Sequence, residues 1–334
     1  MMPDPSVTEA VEAGDMNALL RIVDGYAASR RWDDLLDVAD LCEEAVERGK
    51  QLWPIAAHID YRIALEAPGE RAAEVLESDL ARFTLGPLTE VAASTHPWSE
   101  LAPYIDTPVA AAYVAQERVL RGEDLRGDRR AHAEVLELPL KVLDWEPTYP
   151  PATYRADVVE VAEPWTPKAP LRVIEPGDAE ELDEHELTAA LLELVQPWTT
   201  ESNGAARAVV VEGDAAAAVG SIAFGAVRMG ELRLDEALQR MAWAAASGGA
   251  HGRRRGGALG RSLTWHTASV LADLDWPPEP AELHQALDAF RWFRWDEGAA
   301  EEGWVLRLGV ADPEHGWSAA IAATDLLEDE TKDR

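Results

Sequence analysis

From Val7 to about Glu123 apolar residues return every three to four positions, the spacing that lines up one face of an α-helix. Leu19, Leu20, Ile22 and Val23 predict one helix, and Trp32, Leu35, Leu36, Val38, Ala39, Cys42 and Val46 the next, closing as a hairpin near Ser29 to Arg31. A second hairpin is expected from Trp53 through Ile55, Ile59, Ile63 and Leu65, breaking at Pro68 and Gly69 and returning through Ala72, Val75, Leu76 and Leu80. Pro87 and Pro108 mark two further starts. A first-turn proline gives up no helical hydrogen bond, and Thr107 can cap the second of these helices.

Between Pro139 and Pro170 seven prolines exclude a continuous helix. Val158 to Val161 and Leu171 to Ile174 read as short extended runs, and a domain boundary is placed within Asp144 to Thr153. Beyond it, Ala208 to Glu212 is the clearest strand, β-branched and ended by Gly213. Helices are expected over Asp178 to Leu194, Leu234 to Ala246, Ala258 to Leu274 and Pro280 to Trp295, the last with Leu283, Leu287, Phe290 and Phe293 on its core face. Trp304 to Val310 and Trp317 to Ala323 flank a turn at Asp312 to Gly316. The fold class is therefore α+β and mainly helical. A helical-hairpin, solenoid-like domain over residues 1–145 precedes an α+β domain with a small, largely antiparallel sheet over 146–327, and a charged tail occupies 328–334.

Shifting the first hairpin by 34 positions aligns Leu19 with Trp53, Ala39 with Ala73 and Cys42 with Leu76. The spacing resembles a tetratricopeptide-type period, which implies stacked hairpins with a concave binding surface. Only two units can be drawn, the glycine before the tyrosine of that pattern is missing, and Tyr26 and Tyr61 lie 35 positions apart.

Charge narrows the functions open to such a chain. Asp and Glu number 62 against 30 Lys and Arg, a formal charge of -32, which argues against nucleic acid or an anionic membrane as ligand because phosphates are repelled. Residues 1–150 carry 29 acidic and 14 basic side chains. Cys42 is the single cysteine, so neither an intramolecular disulfide nor a thiolate metal cluster can form. The first residues lack a basic and apolar leader and no run approaches a membrane span, so a cytoplasmic location is expected. Four lysines among many arginines and alanines suit GC-rich bacterial codons.

The stretch from Gly248 to Arg261 stands out as the candidate for chemistry. His251, Arg253, Arg254, Arg255 and Arg261 lie among glycines at an expected helix start, where amides and guanidinium forks can hold an anion. Those arginines could equally fasten the chain to its own carboxylates. The phosphate-loop pattern fails, with Arg255 and Arg261 where glycine and lysine would stand, and no G-x-G-x-x-G occurs. His185 lies between acidic residues, but position 189, where zinc-protease spacing needs histidine, is Ala189. No G-x-S-x-G elbow is present, and arginines alternating with aromatics over Phe290 to Trp295 read as core packing. No catalytic residue, metal or cofactor is expected. The leading expectation is a non-enzymatic interaction protein whose acidic helical surface meets a protein partner, basic in charge. The alternative is a binding protein or an enzyme that takes a small anion or nucleotide at residues 248–261.

Overall fold

The structure, a computed structural model, describes residues 4–162, 170–175, 177, 179–298 and 302–327. The expected tail at 328–334 lies outside them. The chain forms two compact units, one holding the residues up to Val142 with Pro151–Ala162, the other Leu143–Pro150 with the residues after 162.

Unit 1 opens with α1 (Pro5–Ala13), α2 (Met16–Ala28), α3 (Trp32–Glu47) and α4 (Trp53–Glu66). Asp4 caps α1, and Asp15 caps α2 by accepting the Ala18 amide at 3.0 Å, so each start satisfies an otherwise orphan N–H. α4 is the core helix. Ten of its fourteen residues are buried, and it packs against α2, α3 and the helices that follow. The return arm of the second hairpin differs from the sequence reading. It is helical only over α5 (Gly69–Glu74), after which tight turns lead into a 3₁₀ segment at Asp79–Phe83. The amides of Ser78 and Ala81 bond only three residues back, and the Ser78 hydroxyl donates to Asp60 on α4 at 2.5 Å, which holds the segment down before a second long helix can form. The 34-residue period is thus not completed. α6 (Leu88–Thr95), α7 (Trp98–Leu101), α8 (Pro108–Leu120) and α9 (Ala133–Leu136) complete the helices, α8 capped by Thr107 as expected. The strands β1 (Thr153–Tyr154) and β2 (Val159–Glu160) pair antiparallel, and the Tyr154 hydroxyl donates to buried Glu90 at 2.6 Å.

Unit 2 is built on one antiparallel sheet. Its strands are β3 (Arg172–Ile174), β4 (Ala205–Glu212), β5 (Val227–Leu232), β6 (Arg291–Asp296), β7 (Trp304–Asp312) and β8 (Trp317–Asp325), in spatial order β3-β5-β6-β7-β8-β4. The β7–β8 hairpin turns where Asp312 to Gly316 predicted. α10 (His185–Glu193) starts later than expected, because Glu180 to Leu182 run beside β4 instead, with the Leu182 amide on the Val210 carbonyl at 2.8 Å. That pairing covers part of an open sheet edge. α11 (Gln196–Thr200) follows, and α12 (Ala215–Ile222), which the sequence reading missed together with β5, lies on β4, β7 and β8. α13 (Leu234–Ala246) packs against α14 (Gly257–Leu271) and against β6 and β7.

The largest correction concerns Phe290 to Trp295. α15 (Pro280–Ala289) buries Leu283 and Leu287 as read, but then ends, and Arg291–Asp296 forms a central strand. Trp292, Phe293 and Trp295 are buried there because helices cover the sheet: α13 packs on β6, and Phe293 and Trp295 join apolar clusters with residues of α12.

Leu143–Pro150 is tied into unit 2 by a buried ion pair. Glu146 and Arg261 both have fully buried side chains, and Arg261 Nε and Nη2 donate to the carboxylate at 2.7 and 2.6 Å. The Leu143 amide, the Tyr149 hydroxyl and the Trp265 indole N–H donate to it as well, at 2.9, 2.8 and 3.0 Å. Trp145 stacks on His284 and packs on Trp265. Burial opposes ionisation of Glu146, but the Arg261 charge and these donors outweigh it and hold the carboxyl below its ordinary value. Removing one partner strands a buried charge, so Glu146→Ala is expected to lower stability by about 3–5 kcal/mol. Urea unfolding at neutral pH, compared with the unaltered chain, checks this. Because the folded value is depressed, this stabilisation is present above the ordinary carboxylate range and fades as pH falls below it.

Candidate functional site

The Gly/Arg stretch separates into a loop and a helix position. Gly248 and Gly252 let the loop close on itself, since a Cβ at Gly248 would lie 2.3 Å from the Arg253 carbonyl oxygen and one at Gly252 2.2 Å from that of Gly248. Four of the loop amides that could have cradled an anion are taken by the protein. Ala250 donates to Asp325 Oδ2 at 2.6 Å, His251 to Ser202 Oγ at 3.1 Å, Arg253 to Glu201 Oε2 at 3.3 Å and Arg255 to the Ala246 carbonyl at 2.8 Å. Arg255 Nη1 also reaches the Glu193 carbonyl at 3.3 Å. His251 and Arg253 are exposed, and Arg254 and Arg255 are half-buried. Arg261 does not join them, being sealed against Glu146 on α14.

The other features singled out in the sequence are placed as follows. His185 pairs with Asp183 at 2.9 Å on the surface. Cys42 is buried, and burial, followed by the charge of Glu43, pushes its thiol up to about 11, which leaves no thiolate for chemistry.

A second arrangement lies in unit 1 and was not read from the sequence. α3 contributes Glu43, Val46 and Glu47, α4 Trp53 and Asp60, and the tight-turn return arm Glu74, Val75, Ser78 and Asp79 to a cavity of about 440 Å³. Five of the nine lining residues are carboxylates, and none is lysine or arginine. Glu74 is paired with Arg71 at 2.5 Å. Trp53 packs on Phe83 with ring centroids 4.1 Å apart. Asp60 is 4% exposed; burial pushes it up to about 6, the Ser78 hydroxyl working against this and the charges of Glu43 and Asp40 adding to it. Glu43 is raised by burial and then by Asp40, Asp79 and Glu47. The groove therefore holds like charges that resist ionisation together, a state that an incoming cation relieves. The residues are spread over almost forty positions, and only the short return arm brings them together, so local pattern carried no signal of them.

The model of DUF6183, described as a family of unknown function, matches residues 17–326. The chain belongs to DUF6183. No curated protein and no solved structure matches it. The DUF6183 match spans the groove and the Gly/Arg stretch alike. Among the described residues of this DUF6183 chain, no cluster of three or more His, Cys, Asp or Glu is placed to hold a metal, and no helix is long and apolar enough to cross a membrane.

The raised Asp60 has a consequence for stability. Since its folded value lies above the unfolded one, the folded state binds the proton more tightly, and stability falls as pH rises from about 4 to about 6. Asp60→Asn removes that loss and keeps an acceptor for Ser78. It is expected to raise stability at neutral pH by up to about 3 kcal/mol and to do little near pH 4, as read by denaturant unfolding at both values.

Proposed function

We propose that this chain is a non-enzymatic, cytoplasmic interaction protein whose helical unit takes up a basic segment of a protein partner in the groove formed by α3, α4 and the return arm. The observation that supports the reading is the groove's imbalance: Glu43, Glu47, Asp60 and Asp79 line it with no lysine or arginine among its walls, and Asp60 and Glu43 are pushed upward. An arginine or lysine side chain entering there would lay its hydrocarbon stem on Val46, Val75 and Trp53 and set its charge among the carboxylates. The formal charge of -32 would steer such a partner from a distance and repel phosphate. The anion-binding alternative has less support, because acceptors of the chain occupy the amides of Ala250, His251 and Arg253, and Arg261 is sealed against Glu146.

Affinity capture on the immobilised chain tests the proposal. Basic proteins are expected to be retained at low salt and to elute as salt rises. Glu43→Gln with Glu47→Gln and Asp79→Asn should weaken retention by about tenfold or more without lowering the melting temperature. Retention should also weaken as pH falls through about 6 and Asp60 takes up its proton. Partners that ignore salt, or that the triple variant holds equally well, would refute the reading.

A further inference from the structure

Unit 2 contains a larger cavity, of about 650 Å³, that the interaction reading does not use. It opens where the C-terminal turns of α14 and α15 meet the start of α10, β4 and the β7–β8 turn. Its apolar walls include Leu187, Val210 and Leu271, with Phe290 and Trp317 set edge to face at 5.8 Å. Six carboxylates ring these walls: Glu184, Glu186, Glu212, Asp273, Asp312 and Glu314. Asp312 is engaged by His315, the only basic lining residue, through Nδ1 at 2.7 Å. The other five are exposed, and among the described residues no ion pair neutralises them. Val270 to Asp273 and Ala286 to Phe290 are helix ends, where backbone carbonyls present the negative pole of the macrodipole. Charge, dipole and aromatic walls thus favour the same occupant, and the volume lies in the range of small-molecule sites.

We infer that this cavity binds a small organic cation, an ammonium or guanidinium group carried on an apolar body. The body lies on Phe290 and Trp317, and the charge faces the carboxylates and the two helix ends. A metal ion is the poorer occupant, since among the described residues the carboxylates do not converge into a coordinating set.

Isothermal titration of the full chain with phenethylamine, tryptamine, agmatine and spermidine tests this, with 2-phenylethanol as the uncharged match to phenethylamine. At least one amine is expected to bind saturably, one per chain, while 2-phenylethanol gives no heat at the same concentration. Glu212→Gln with Asp273→Asn should weaken that amine by about tenfold or more, as should Trp317→Leu. Glu184→Gln with Glu314→Gln gives an independent reading if the first pair melts early. Glu9→Gln, an exposed carboxylate that lines neither cavity, should leave amine binding unchanged, and failure here is distinguishable from failure of the groove because the groove is read by retention of basic proteins. Silence of all four amines at millimolar concentration, equal binding of 2-phenylethanol, undiminished binding by the carboxylate variants, or binding of calcium alone would each overturn the assignment.

Discussion

With 62 carboxylates and 30 lysines and arginines, the chain cannot neutralise its own acidic groups by pairing, and the placement of its cations decides where negative charge is left to act. Several arginines are committed inside. Arg261 satisfies Glu146 in the core of unit 2, Arg62 joins Asp24 and Glu66 at 2.8 Å each, and Arg121 meets buried Glu117 at 2.7 Å. Such pairs offset the burial of these carboxylates, because an unpaired buried charge costs several kcal/mol. What remains is an acidic surface with two concavities where no arginine or lysine lines the wall.

Asp60 illustrates the tension this creates. A carboxylate at 4% exposure with only a serine hydroxyl to hold it would ordinarily be replaced by an apolar or amide side chain, yet here it lies beside further acidic residues. The cost is local, and protonation relieves it. The same Ser78 contact that shortens the second hairpin also places Asp79 at the groove wall, so the departure from a regular hairpin and the assembly of the groove have one cause.

The sequence revealed those elements whose apolar residues keep a regular period. α2, α3, α4 and α8 could be read because each buries a continuous stripe, and the β7–β8 turn because Asp, Pro and Gly gather there. α12 was invisible: Ala215 to Ala218 offers no contrast of polarity from which a period could emerge. Residues 290–295 were misread because Leu283, Leu287, Phe290 and Phe293 share helical spacing, while strand identity comes from pairing with β5 and β7, one of them sixty residues upstream. The Gly/Arg stretch was visible as an unusual composition, but its partners were not, since Glu146, Glu201, Ser202 and Asp325 lie far along the chain. Net charge likewise announced an acidic protein without showing which carboxylates would gather.

The ion pair in unit 2 bears on how this protein can be inherited and dissected. Glu146 sits on an eight-residue excursion, with unit 1 resuming at Pro151 before the chain leaves it for good after Ala162. A gene fragment starting beyond 162 would encode Arg261 without its counter-ion, and one ending at 142 would lack the β1–β2 hairpin that covers Glu90. Neither half is a portable module, so recombination at a single joint would damage both.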